Sequence, residues 1–158
     1  MSEPGLHPTL HLDVEIGDEL LRGATAQGRR IDYPILGGRF TGSNPDGKGF
    51  AGCIPPGGAD YYLERHDGCG ELDARYSLLC NDGTLIEVHN TGLLVLSEAG
   101  VQLAAQHWPI DPQHYRCHCA PRFHSKDARY AWMSRHLFVG QVSYPAANRV
   151  QIECFRIH

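Results

Sequence analysis

The chain has 158 residues, 42% apolar and 20% charged, with a formal net charge of −4, which suits one soluble domain with a real core. That balance gives no electrostatic footprint for nucleic acid or an anionic membrane, so neither is an expected partner. The longest uncharged apolar run, Leu93–Leu96, is far too short to span a bilayer, and no basic segment leads into an apolar run at the N-terminus.

In chain order, Leu10–Ile16 alternates apolar and polar and predicts a strand with one buried face. Ile31–Leu36 predicts a second strand ended by Gly37-Gly38, and Arg39–Thr41 continues as extended chain. Turn chemistry at Ser43–Gly47 leads into a strand over Lys48–Ile54, closed by Pro55-Pro56-Gly57-Gly58. Asp60–Arg65 and Glu71–Cys80 flank a turn and form a hairpin. Asn81-Asp82-Gly83 is the strongest turn signal and pairs Glu71–Cys80 with Thr84–Asn90. Pro121–Phe123 is extended, Ala128–Arg135 is the best helical candidate, and Leu137–Ser143 and Arg149–Ile157 close the chain.

Nine or ten short strands at hairpin spacing, with at most one or two short helices, predict an all-β fold. A single closed or nearly closed antiparallel β-barrel removes the edge strands, and a sandwich is the alternative. The expected domain is the whole chain, 1–158, with residues 1–9 as a tail. Six cysteines without an export signal predict reduced thiols and a cytoplasmic location.

Period-two alternation puts Asp73 and Arg75 on one face of their strand and Leu72, Ala74, Tyr76 and Leu78 on the other. The neighbouring strands supply Asp60, Tyr62 and Glu64, and Glu87 and His89. If these polar sets share a face, two readings remain open. One is a solvated exterior, where ion pairs contribute little. The other is a polar lumen, where Arg75 clamps a ligand oxygen and Asp60 or Asp73 acts as base. His89 and His136 are alternative proton shuttles. Tyr62, Tyr76, Tyr130 and Trp132 are read as walls for a flat ligand.

The segment HYRCHCAPRFH (114–124) concentrates histidine, cysteine and arginine. On a strand, Cys117 and Cys119 face one way and His118 the other. No C-x-x-C or H-E-x-x-H is present, so no metal and no cofactor are assigned, and the cysteines read as small packing residues.

Four motifs occur in order: GRRIDYPILGGRFTG (28–42), GKGFAGCIPPGGADYYL (47–63), GELDARYSLLCNDGTLIEVHNTG (70–92) and PRFHSKDARYAWMSRHLFVG (121–140). Together they resemble the DUF3237 family, also called UPF0311, over almost the whole chain. The resemblance implies a barrel related to the allene oxide cyclase and dirigent barrels. Its pattern carries Asp60, Arg75 and Trp132, which favours the lumen reading. The function expected is a cofactor-independent enzyme acting on a small aromatic or carbonyl-bearing metabolite by cyclisation, isomerisation or elimination. The alternatives are a non-catalytic small-molecule carrier and a barrel with a filled lumen. A homodimer is expected, with contacts through an outer sheet face or the strand around Leu93–Leu96.

Overall fold

The structure, a computed structural model, describes residues 2–158. Ten strands form one antiparallel sheet: β1 Leu6–Ile16, β2 Leu20–Ala24, β3 Gly28–Ser43, β4 Gly49–Cys53, β5 Ala59–Arg65, β6 Cys69–Cys80, β7 Leu85–Leu96, β8 Tyr115–His124, β9 Phe138–Ala146 and β10 Arg149–Ile157. The sheet closes because β1 pairs with both β10 and β3. Around the ring, β1 is followed by β10, β9, β8, β7 and β6. The gap from β6 back to β3 is bridged by β5 at one end and β4 at the other. The all-β barrel expected from the strand spacing is therefore present.

β3 makes closure possible. Residues 28–34 pair with β5, and residues 39–43 turn to pair with β4. Between them Gly38 adopts φ +140, and a Cβ there would sit 2.1 Å from the Asp13 carbonyl oxygen. Only glycine meets both demands. The two pieces expected at 31–36 and 39–41 are thus one bent strand. Similarly, β1 starts at Leu6, so Leu6–Pro8 pair with Phe155–Ile157 rather than forming a loose tail.

The two ends of the barrel differ. A 3-10 helix, Ala128–Arg135, plugs one end. Its Asp127 cap accepts from the Arg129 N–H, and Met133 is completely buried. Inward positions near this end are large, including Phe40, Leu78, Ile86, Phe123 and Phe138. Towards the other end the register brings Ala74, Gly92, Cys119 and Gly140 to inward positions. Ala74 borders the open space there, while Gly92 and Gly140 make room for Cys119. A short helix, α1 (Glu98–Ala104), lies beside that open end, with its N-terminal turn capped by Ser97. Neither α1 nor the fully exposed β2 was expected from the sequence. Among the described residues, no helix is long and apolar enough to cross a membrane.

Candidate functional site

The open end leads into a cavity of about 630 Å³. Its wall draws on β1, β3, β5, β6, β7, β9 and β10, so it is the barrel lumen. The polar groups deep in it are Asp60, Tyr62, Tyr76, Asn90 and Tyr144, set among Leu72, Leu94 and Ile152. Tyr33 packs edge-on against Tyr62 with ring centroids 5.9 Å apart. Near the mouth, Trp108 packs against Tyr144 at 5.2 Å and Tyr115 at 6.0 Å.

β5 turns Asp60 inward, opposite Ala74 and Tyr33. One carboxylate oxygen, Oδ1, accepts the Asp73 backbone N–H at 2.8 Å. Burial dominates its electrostatics and raises its pKa from 3.8 to about 6; the Asp73 N–H opposes the rise, while the Asp73 and Asp32 charges add to it. Burial likewise keeps the phenols of Tyr62, Tyr76 and Tyr144 protonated, with pKa values well above the usual tyrosine range. The lumen thus holds one carboxyl group that titrates near neutrality and several phenol donors.

Tyr62 owes its position to a glycine. A Cβ at Gly70 would lie 1.6 Å from the Tyr62 hydroxyl oxygen, so the phenol occupies the space a side chain would fill. Two further polar atoms are buried with no hydrogen-bond partner among the described residues: Tyr76 Oη and Asn90 Oδ1. Both line the lumen.

The predicted constellation divides into three places. Asp60, Tyr62 and Tyr76 line the lumen. Arg75 sits opposite Ala59 and points outward, so Asp60 and Arg75 lie on opposite faces of the wall and cannot grip one ligand. The reason is register: Asp60 is paired with Ala74, which puts it in phase with the apolar side of β6. Asp73 and His89 are also outside, bonded to each other at 2.8 Å and about two-fifths exposed. Tyr130, Trp132 and His136 belong to the plug. Tyr130 donates to Asp82 at 2.8 Å, Trp132 Nε1 donates to Asn44 at 3.0 Å, and His136 bonds the Trp132 carbonyl at 2.8 Å.

Cys117 and Cys119 face inward and His118 outward, as alternation predicts. Burial pushes their thiols up, Cys117 to about 12 and Cys119 to about 11, so neither is an activated nucleophile. Sequence reasoning missed Tyr33, Asn90, Trp108 and Tyr144. Asn90 had a signal: it interrupts the inward apolar series Ile86, Val88, Leu94 on β7.

The DUF3237 profile, described as a protein of unknown function, matches residues 4–157. The chain belongs to the DUF3237 family. A UPF0311 protein of Rhodopseudomonas palustris is 30% identical over 146 residues, 92% of each chain. The crystal structure of that protein, described as a conserved protein of unknown function, superposes with a TM-score of 0.88 at 29% identity over 100% of both chains. A β-barrel-like protein from Acinetobacter baumannii gives 0.83 at 26% identity, covering 100% of this chain and 98% of that one. An enzyme from Penicillium herquei gives 0.69 at 17% identity, covering 100% and 97%; at that identity the likeness shows the DUF3237 barrel fold alone.

Proposed function

We propose that the lumen is a small-molecule active site in which Asp60 transfers a proton to and from a neutral carbonyl-bearing, aromatic ligand, without a cofactor. The observation that carries this reading is the Asp60 carboxyl group, raised to about 6 by burial, in a cavity of about 630 Å³ whose other lining acids, Glu19 and Glu64, are exposed. An acid–base group works best when its pKa lies near the working pH. Perturbed carboxyl groups in clefts are functional candidates on that ground. The reaction class is enolisation leading to isomerisation, cyclisation or elimination. Asp60 removes a proton from the carbon beside the carbonyl, a phenol such as Tyr62 donates to the developing enolate oxygen, and Asp60 returns the proton at another atom. That a distant structural neighbour is an enzyme is compatible with this use of the barrel, though fold likeness does not assign chemistry.

The test is hydrogen–deuterium exchange at the α-carbon of 2-tetralone in D2O, followed by NMR. Native protein should accelerate exchange with an apparent pKa of about 6. Asp60→Asn should abolish the acceleration and still bind the ketone. Binding without any acceleration by native protein would establish the carrier reading instead.

A homodimer through the outer face formed by β5–β8 and the adjoining part of β3 belongs to the same proposal. Leu93 and Tyr61 are 47% and 39% exposed there. They lie in a shallow depression with Arg30 and Arg116 beside Glu71 and Asp73. A two-fold axis would set each copy's arginines against the other's acids, as an isologous interface requires. Of the other apolar residues behind the dimer expectation, Ile31, Ile35 and Phe40 are core and Leu94 and Leu96 line the lumen, while Leu36 is exposed. Light scattering should give twice the chain mass, reduced to one chain by Leu93→Glu; a single-chain mass for native protein at high concentration would refute the dimer.

A further inference from the structure

Tyr76 Oη and Asn90 Oδ1 are both fully buried, both lumen-lining and both unpaired among the described residues. Unpaired buried polar atoms are rare because each forfeits its hydrogen bond to water. Two of them in one cavity is a stronger signal than either alone. They are also neighbours in the wall. Tyr76 on β6 faces Val88 on β7, and Asn90 is the next inward residue along β7, so the two are diagonal partners on one face.

The chemistry of the pair is directional. Asn90 Oδ1 can only accept. Burial keeps Tyr76 protonated, so its hydroxyl is free to donate. One atom satisfies both only if it accepts from Tyr76 and donates to Asn90. A hydroxyl does this. A carbonyl or ether cannot donate, an ammonium cannot accept, and a carboxylate cannot donate.

Charge narrows the choice further. Among the described residues, the Asp60 carboxylate is the buried charged group of the lining; the other acids, Glu19 and Glu64, are exposed. The basic groups along its lining, Arg29, Arg65 and His66, are all at the mouth, where Arg29 is bound to Glu64 and Arg65 to Asp67 and Glu71. An anionic ligand would meet no free cation inside among the described residues and would be repelled by Asp60.

We infer that Tyr76 and Asn90 form a hydroxyl-recognition pair, and that the lumen selects uncharged phenol- or enol-bearing ligands over their ethers and carboxylates. This rests on the lumen being the ligand site proposed above. Asn90 is the specificity-determining residue, because only it reads the donor.

Three probes of one shape test it: 2-naphthol, 2-methoxynaphthalene and 2-naphthoate, titrated into the full chain and followed by protein-observed NMR. Native protein should bind the naphthol about tenfold more tightly than the ether, and the naphthoate most weakly, the scale expected when a buried acceptor loses its donor. Asn90→Leu should erase the naphthol preference while the ether binds as before. Tyr76→Phe should weaken naphthol and ether together, since its donor serves either oxygen; this second variant keeps the test decisive if Asn90→Leu fails to fold. Equal binding of naphthol and ether by native protein would overturn the hydroxyl assignment and leave the pocket reading standing. Failure of all three probes to bind would overturn the pocket reading and this inference with it.

Discussion

Replacing Asp60 with asparagine should make the protein more stable at neutral pH, by an amount that depends on pH in a defined way. The native carboxyl pKa is raised from 3.8 to about 6, chiefly by burial. Between those values the folded chain holds a proton that the unfolded chain has released, so wild-type stability falls as pH rises. A shift of about two units corresponds to about 3 kcal/mol lost by pH 7, relative to a chain with no ionisable group at this site. Asparagine has nothing to ionise, and its amide oxygen still accepts the Asp73 N–H. The advantage of Asp60→Asn should therefore be near zero at about pH 3, grow at up to about 1.4 kcal/mol per pH unit, and level off at about 3 kcal/mol above about pH 6.5. Urea denaturation of both proteins across this range measures it, and the pH slope is the decisive quantity because any constant offset reflects packing. A stability difference independent of pH would show that Asp60 titrates as an ordinary solvated carboxylate and would refute the reasoning.

Arg75→Gln should change the affinity for a lumen ligand by less than about twofold, because Arg75 points away from the lumen; calorimetric titration with 2-naphthol checks this. Gly52→Ala should destabilise by about 3 kcal/mol or more, since its Cβ would lie 1.9 Å from the Leu79 carbonyl oxygen where β4 crosses to β6; urea midpoints report it. Trp108→Phe should remove the fluorescence change caused by a lumen ligand, while Trp132→Phe, in the plug, should retain it.

The strand pattern was legible because alternation and turn chemistry are local. Arg149–Ile157 and the helical segment Ala128–Arg135 appear with the expected bounds, and Asn81-Asp82-Gly83 does join β6 to β7. The bend of β3 was not legible: Gly37-Gly38 reads as an end unless one knows that Asp13 must approach Gly38. β2 carries no alternation and is exposed throughout, so no periodic signal exists to find. At the site, each strand's two faces were assigned correctly, but which face of β5 meets which face of β6 depends on register. Pairing of Asp60 with Ala74 sent Asp60 in and left Arg75, Asp73 and His89 out. Composition alone could not place Trp132 in the plug, because its partner Asn44 is remote in sequence.

The central claim, that the barrel lumen is the ligand site, is tested most directly by mapping where a small aromatic ligand binds. Backbone and methyl NMR spectra of the full chain should be recorded during titration with 2-naphthol. Saturable shifts should centre on Leu72, Ala74, Asn90, Leu94 and Ile152, the inner wall around Asp60. Ser77, Arg122 and His124, in the cleft on the outer face, should stay unshifted. Saturable shifts confined to that outer cleft, or none in the lumen at saturating ligand, would contradict the claim.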